Sequence, residues 1–296
     1  IAVEDVLELV KSDEKIVCDG KRAYMPHPIF QSTLFAATRV RRDGEYRKKS
    51  LTIVRENQFG DTVTIFTPKT LFVSPDMGVF LATIACAQKA GIYHLIDPKT
   101  NDEEPYSLIS KFPISWLYEL TGMASNGMGW YQLRSSLEAL GQVGIRINYG
   151  MTKESFKRHG KNSLFAVDNF WRVFIEKRKG RKGSLVKLFP SPVLIPMDFY
   201  LWADAELCNK LRSDTAKGIF WQLICREHLT GTAEEWRQWL NAEGKWETKK
   251  WKSAQLMPAL EELAGYGYRI KENEDKITVE RPGVEQKRLS KTKRKR

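Results

Sequence analysis

Cysteine is scarce in this chain, and the few cysteines present form no pattern. Four occur in 296 residues, Cys18, Cys86, Cys208 and Cys225, and none has the CxxC or CxC spacing that suits a metal ion or a redox centre. Cys86 and Cys225 lie in apolar stretches, which favours buried free thiols. The cysteine usage is therefore typical of a protein of the reducing cytoplasm.

Long apolar runs are also missing. The longest, GVFLATIACA at 78–87, is far shorter than the roughly 20 residues that span a bilayer. Hydrophobic residues make up 42% and aromatic residues 11% of the chain, which excludes general disorder. The length and composition predict a soluble protein of about two domains, with no membrane partner.

Motifs for catalysis and cofactors are absent from the sequence. There is no GxxxxGK[ST] loop for nucleotide phosphates, and the histidines have no HxH or HExxH spacing. These isolated histidines are His27, His94, His159 and His228. A tyrosine nucleophile for DNA cleavage, such as Tyr149 or Tyr200, would need a nearby histidine pair. We therefore expect no metal, no cofactor and no enzymatic activity.

Positive charge is abundant and clustered. The net charge is +12, and basic runs occupy 39–49, 176–183, 245–253 and 287–296. Clustered lysine and arginine release counterions from a polyanion, whereas scattered ones mainly keep a protein in solution. No basic run adjoins an amphipathic helix with exposed bulky apolar residues, so the pattern favours nucleic acid over a membrane surface.

One stretch of the sequence occurs twice in similar form. QLRSSLEALGQVGIRI at 132–147 and QLMPALEELAGYGYRI at 255–270 are identical in eight of their sixteen columns. The leucines of each copy recur at i, i+4 and i+7, which is one face of a helix. Each helix ends in glycines and leads into a short β-like segment. The shared order is helix, turn and strand.

The repeat extends backwards along the chain. Trp116-Leu117 aligns with Trp239-Leu240 at the same offset, and GVFLATIAC at 78–86 resembles GIFWQLICR at 218–226. The earlier match has an offset of 140 instead of 123, so the first copy carries about 17 extra residues, which we place in a loop around DPKTNDEEPYSL. Three helices followed by a β-hairpin predict an α+β fold of two winged-helix domains in tandem, related by pseudo-symmetry.

The predicted domain organisation has five parts. They are an N-terminal segment (1–25), a first winged helix for dimerisation and DNA-backbone contacts (26–190), a linker (191–212), a second winged helix as the main DNA-binding domain (213–283) and a disordered basic tail (284–296). Strand-like segments on both sides of Gly60-Asp61 predict a hairpin in the first domain.

The third helix of such a unit enters the major groove with its N-terminal end towards the bases, while the wing contacts phosphates. Three lysines surround Trp251 where the third helix of the second domain begins, and a helical projection with the leucines inward places Lys250, Trp251, Ala254 and Gln255 outward. The predicted DNA contacts are Lys249, Lys250, Trp251, Lys252, Gln255, Arg269, Lys271, Lys276 and Arg281 in the second domain, and Tyr131, Gln132, Arg134 and Arg146 in the first.

Two residues of that third helix leave alternatives open. Gln255 either reads an adenine or, like Gln132, is a helix-start residue kept for folding. Pro258 should kink the helix unless it lies in a first helical turn. The first copy offers only Arg134 near the corresponding surface, so we expect the second unit to bind DNA more strongly.

The paired QLRSSLEALGQVGIRI and QLMPALEELAGYGYRI, the opening PHPIFQSTLFAATRV and the ending YGYRIKENEDKITVERPG resemble plasmid replication initiators, in particular the broad-host-range type with two winged helices. This resemblance, over about residues 26–283, implies binding to iterons at an origin and melting of an adjacent AT-rich element. It also implies recruitment of the host initiator and replicative helicase, a monomer–homodimer equilibrium in a bacterial cytoplasm and autorepression by dimers. Single-stranded DNA of the melted origin is a further candidate partner.

QSTLF at 31–35 resembles the peptide by which bacterial proteins dock on the replicative sliding clamp. Leu34 and Phe35 would fill an apolar pocket there, with Gln31 at its rim. The alternative interpretation is a strand whose leucine and phenylalanine enter the core.

Three functions are thus in competition. The first is a sequence-specific, non-catalytic initiator that binds duplex DNA. The second is a transcriptional regulator built on the same units, which would need the same groove contacts. The third is a rolling-circle nicking enzyme, against which the missing histidine pair argues.

Overall fold

The computed structural model describes residues 18–26, 34–37, 51–56, 62–96, 103–148, 165–177, 183–191, 200–240, 242 and 247–282. Within them the chain is a mixture of helices and mainly antiparallel sheets, which confirms the predicted mixed class. The proposed basic tail, 284–296, and Gln31 lie outside the described residues.

The described residues of the amino-terminal half include three helices. Helix α1 (Gly78–Ala90) is almost wholly buried because nearly all its residues are small or apolar, and it continues from a turn at Val73–Met77. Helix α2 (Ile114–Thr121) ends at Gly122, whose φ of 68° is left-handed. Helix α3 (Gly127–Gly141) contains the first copy of the repeated stretch and buries Leu133, Leu137 and Leu140. The leucine stripe therefore faces the core, as predicted.

Strands surround these helices in separate sheets. The strands of this half are β1 (Arg22–Pro26), β2 (Phe35–Ala36), β3 (Leu51–Glu56), β4 (Thr62–Thr67), β5 (Leu71–Phe72), β6 (Tyr93–Ile96), β7 (Glu103–Pro113), β8 (Gly144–Asn148), β9 (Phe165–Asn169), β10 (Trp171–Lys177) and β11 (Ser184–Pro190). One sheet has the order β3-β4-β8-β9 and another the order β10-β11-β7-β6, while β2 and β5 form a parallel pair.

The predicted hairpin on both sides of Gly60-Asp61 is present. β3 and β4 pair in antiparallel register from Leu51↔Thr67 to Glu56↔Thr62. The predicted loop around DPKTNDEEPYSL is only partly a loop. Strand β7 begins within it, at Glu103, and pairs with β6. Part of that insertion is thus a hairpin strand.

The carboxy-terminal half also combines helices with a small sheet. Helix α5 (Asp214–Leu223) begins at Ser213, whose side chain accepts from the Ala216 N–H. Helix α6 (Ala233–Trp239) begins with a capping box between Thr232 and Glu235. Strands β13 (His228–Thr232), β14 (Arg269–Asn273) and β15 (Lys276–Glu280) form a sheet of order β13-β15-β14. The predicted hairpin after the last helix is therefore present, with β13 added at its edge.

The described part of the predicted linker is not a simple connection. Residues 200–210 form strand β12 (Tyr200–Asp204) and helix α4 (Ala205–Lys210), and β12 pairs with β1 from Arg22↔Asp204 to Pro26↔Tyr200. The two strands are far apart in the chain and neither carries a local signal of its partner, so the sequence does not predict this pairing.

One continuous core joins the two halves. The Phe35 ring meets the Trp221 ring edge-on at a centroid distance of 5.0 Å, and the Phe80 ring stacks on Phe170 at 5.2 Å. The Ala37 N–H donates to the Leu240 carbonyl at 2.9 Å. The two halves are thus packed together through the segment 34–37.

Candidate nucleic-acid interface

The second copy of the repeated stretch forms the helix that carries the candidate interface. Helix α7 (Thr248–Trp251) passes through a π-helical turn, Lys252–Leu256, into helix α8 (Met257–Ala264). The Met257 N–H donates to the Lys252 carbonyl, five residues back. Pro258 lies in the first turn of α8 and directly follows the π-helical turn, so its missing N–H falls where the regular α-helical hydrogen bonds are already interrupted. The backbone stays helical through Leu256 and Met257.

The π-helical turn changes which side chains face outward. Trp251 is buried, with 6% of its surface exposed, and Leu256 is fully buried. Hydrogen bonds five residues apart bring residues at that spacing onto one side of a helix. Trp251 therefore joins the leucine stripe in the core. The prediction that Trp251 lies on the outer face and contacts DNA is wrong.

The outer surface at the start of α7 carries lysines and short side chains. Lys249, Lys250, Ser253 and Ala254 are exposed, and Gln255 is half-buried beside them. The Thr248 hydroxyl donates to the Glu234 carboxylate, which fixes the start of α7 against α6. The short side chains of residues 253 and 254 leave room for another molecule to approach the helix closely. The lysines lie beside this space, at the tip of the helix.

The β14–β15 hairpin beside the helix has its charges arranged in pairs. Lys252 Nζ lies 2.5 Å from Glu272 Oε1, and Lys271 Nζ lies 2.8 Å from Glu280 Oε1. The Lys271 ammonium lowers the pKa of the Glu280 carboxyl through this hydrogen bond. Lys252 and Lys271 are thus placed at the predicted surface, but each shares its charge with a carboxylate of the hairpin.

The remaining predicted residues of this half divide into two groups. Arg269 and Lys276 are exposed on β14 and β15. Arg281 is half-buried, and its guanidinium donates to the Ile224 carbonyl at 2.9 Å. Its backbone N–H also donates to the Glu227 carbonyl. Arg281 thus connects the end of β15 to the end of α5, a role that the sequence did not indicate.

The first copy presents a different surface. Tyr131, Gln132 and Arg134 are exposed on α3 and Arg146 is exposed on β8, as a DNA contact would require. Arg134 Nε lies 2.7 Å from Glu138 Oε1, one turn further along the helix. Arg134 therefore shares its positive charge with a carboxylate of its own helix.

The segment that resembles a clamp-binding peptide lies in the core. Leu34 is 1% and Phe35 is 5% exposed, and Phe35 packs between Phe80 and Trp221. Both side chains are therefore inaccessible to a partner in this structure. The core interpretation replaces the clamp interpretation for Leu34 and Phe35.

A depression next to the candidate interface involves residues that sequence reasoning missed. It has a volume of about 480 Å³ and is lined by Lys210, Arg212, Ser213, Pro258, Glu262 and Tyr266. The Glu262 carboxylate accepts the N–H groups of Arg212 and Ser213, at 2.6 and 3.0 Å. No local signal in the sequence places Arg212 beside α8, because the contact joins positions 50 residues apart.

The described residues show no metal site and no membrane-spanning helix. No group of three or more His, Cys, Asp or Glu in the described part could hold a metal ion. Burial raises the pKa values of the Cys86 and Cys208 thiols to about 12, so both stay protonated at neutral pH. No described helix is long and apolar enough to cross a membrane.

Comparison with known proteins gives matches in structure but not in sequence. No family model and no curated protein matches the chain. The crystal structure of RctB domains 2–3 aligns with 87% of this chain and 98% of its own, with a TM-score of 0.50 and 13% identity. The chain shares the fold of RctB domains 2–3. A Pi initiator protein in complex with iteron DNA aligns with 89% of this chain and 98% of its own, with a TM-score of 0.46 and 12% identity.

Proposed function

We propose that this chain is a non-catalytic replication initiator that binds specific sites on duplex DNA through two winged-helix units. The observation that carries the proposal is the tip of α7. There Lys249 and Lys250 are exposed beside small side chains and next to a β-hairpin. A helix with a basic N-terminal end and a hairpin at its side fits the major groove and the flanking phosphates.

The two units have different roles in this proposal. The α7–α8 helix binds duplex DNA more strongly, because it has the lysines at its tip and Lys276 and Arg269 on the neighbouring hairpin. Lys249 and Lys250 contact phosphates, and the half-buried Gln255 contacts a base edge. Helix α3 binds an adjacent half-site with Tyr131, while the units keep a fixed spacing through their common core.

The origin of a plasmid is the proposed target because of the sequence resemblance to plasmid initiators. Binding to repeated iterons, melting of the adjacent DNA, contact with the melted single strand and recruitment of a host initiator and helicase belong to this proposal. So does an equilibrium between monomer and homodimer. A transcriptional regulator is the second candidate, since the same groove contacts would serve an operator.

Selection of duplexes from a random pool tests the proposal. An initiator should recover direct repeats, with centres about one or two helical turns apart, because two recognition units on one DNA face need that phasing. Recovery of palindromes would favour the regulator, and no enrichment would contradict both. Incubation of the protein with a recovered duplex and magnesium tests the nicking-enzyme alternative, because a nicking enzyme should cut one strand.

A further inference from the structure

The start of α3 exposes three large apolar side chains. Met128 is 68%, Trp130 is 37% and Tyr131 is 69% exposed. Single exposed apolar residues are normal on a protein surface, but three within four positions form a patch. Successive residues lie about 100° apart around a helix. Tyr131 therefore faces outward, with Met128 and Trp130 on its two sides.

The fold holds this patch in a defined position. The Asn126 side chain accepts from the Gly129 N–H at 3.0 Å and so fixes the first turn of α3. A Cβ at Gly129 would lie 1.8 Å from the Ala124 carbonyl oxygen. Glycine at 129 therefore allows the chain before α3 to fold closely against the first turn of the helix.

The internal repeat shows what the patch replaces. At the offset of 123 residues, Trp130 and Tyr131 correspond to Ser253 and Ala254, the small exposed residues at the proposed DNA-binding face of the second unit. Gln132 corresponds to Gln255 in the same way. The first unit therefore has large apolar groups at the positions where the second unit approaches DNA closely.

The surroundings favour a polyanionic partner over an apolar protein groove. Residues 120–137 contain no aspartate or glutamate. Arg134 is paired with Glu138 just beyond this stretch, and Arg146 adds an exposed arginine on β8. The first turn of a helix also presents the positive end of its dipole. In the major groove the apolar group available for contact is the C5-methyl of thymine.

We propose that the start of α3 reads thymine methyl groups in the major groove through Met128, Trp130 and Tyr131. This inference rests on the proposed function, since it assumes that the chain binds duplex DNA. The two units then recognise DNA by different chemistry. The lysines at the tip of α7 supply affinity that depends on the salt concentration. The apolar patch of α3 supplies sequence preference that is independent of the salt concentration.

Replacement of thymine by deoxyuridine tests the inference, because it removes one methyl group and keeps every hydrogen bond of the base pair. Each thymine of a selected duplex is replaced in turn. The wild type should bind about four-fold more weakly at each contacted position. A Met128→Ala/Tyr131→Ala variant should lose this ratio at the thymines that those two side chains contact, and any thymine contacted by Trp130 should keep it. Lys249→Ala should keep the four-fold ratio at every contacted thymine.

The controls separate the possible failures. Both variants change exposed residues, and their helical circular dichroism and melting temperature should match the wild type. A wild-type ratio of one at every thymine would overturn this inference while leaving duplex binding intact. In that case, a Met128→Ala/Tyr131→Ala variant that lost single-strand binding or self-association would assign the patch to that partner instead. Failure of the wild type to bind any duplex would overturn the proposed function as well.

Discussion

Lys252 Nζ lies 2.5 Å from Glu272 Oε1, so an ion pair connects the start of the proposed recognition helix to strand β14. The two side chains are 31% and 45% exposed. Water and salt screen a pair of this kind, so its contribution to stability is small. Its main effect is electrostatic, because it places a carboxylate within the surface that we expect to meet DNA.

Glu272→Gln should therefore strengthen DNA binding. The change removes a negative charge and releases Lys252 for a phosphate, which should raise the affinity for all duplexes by roughly two- to five-fold. The free energy of unfolding should fall by less than about 1 kcal/mol. Fluorescence anisotropy and thermal melting measure the two quantities. Equal or weaker binding by Glu272→Gln would show that this hairpin edge does not face DNA.

Trp251 should prove to be a core residue. Trp251→Ala should lower the free energy of unfolding by about 3–5 kcal/mol, since it removes a buried aromatic side chain. Trp251→Phe should fold and bind DNA almost as the wild type does, because the ring that remains still fills the core. The exposed Ala254→Ser is a matched control, expected to change stability by no more than about 0.5 kcal/mol. A Trp251→Ala protein that melted normally but bound DNA poorly would restore the original contact prediction.

Gln88 should stabilise the protein by attaching β1 to helix α1. Its side-chain oxygen accepts from the Tyr24 N–H at 3.0 Å, and its side-chain nitrogen donates to the Tyr24 carbonyl at 2.7 Å. Gln88→Leu removes both bonds in a buried region and should cost about 1–3 kcal/mol. The exposed neighbour Lys89, whose Nζ lies 4.5 Å from the Trp116 ring centroid, supplies the control Lys89→Gln, with a loss below about 1 kcal/mol. Denaturant unfolding compares the two, and equal losses would contradict this role.

Glu206 should make stability depend on pH in acid. Hydrogen bonds from Lys21 and Lys210 lower the pKa of Glu206 from 4.5 to about 2. The folded form has the lower pKa, so the stabilisation is complete above pH 4.5 and is lost as the pH falls towards 2. The melting temperature of the wild type should thus fall faster than that of Glu206→Gln in this window, and less so in high salt. Parallel melting curves would show that the ion pairs contribute nothing.

The repeated leucines predicted the helical part of the fold well. Leu133 and Leu137 in α3, and Leu260 and Leu263 in α8, are buried as their spacing requires. Periodicity identifies such elements because helical burial depends on neighbours three and four residues away. Pairing between β1 and β12 could not be predicted in this way, since it depends on residues about 180 positions apart.

The orientation of Trp251 shows why part of the site was mispredicted. A projection with constant α-helical geometry puts Trp251 far around the axis from Leu256. The π-helical turn Lys252–Leu256 brings them to the same side. Pro258 is the sequence feature nearest to this irregularity, but proline indicates only that an ordinary hydrogen bond is missing. The local geometry that replaces that bond is set by packing of the whole unit.

The salt dependence of duplex affinity tests the central claim most directly, namely that the tip of α7 binds the DNA backbone. Wild type, Lys250→Ala and Lys249→Ala/Lys250→Ala are titrated on one selected duplex over a range of salt concentrations. The slope of log affinity against log salt should decrease in magnitude by about one unit in the single variant and about two in the double variant. Unchanged slopes and affinities in correctly folded variants would contradict the claim.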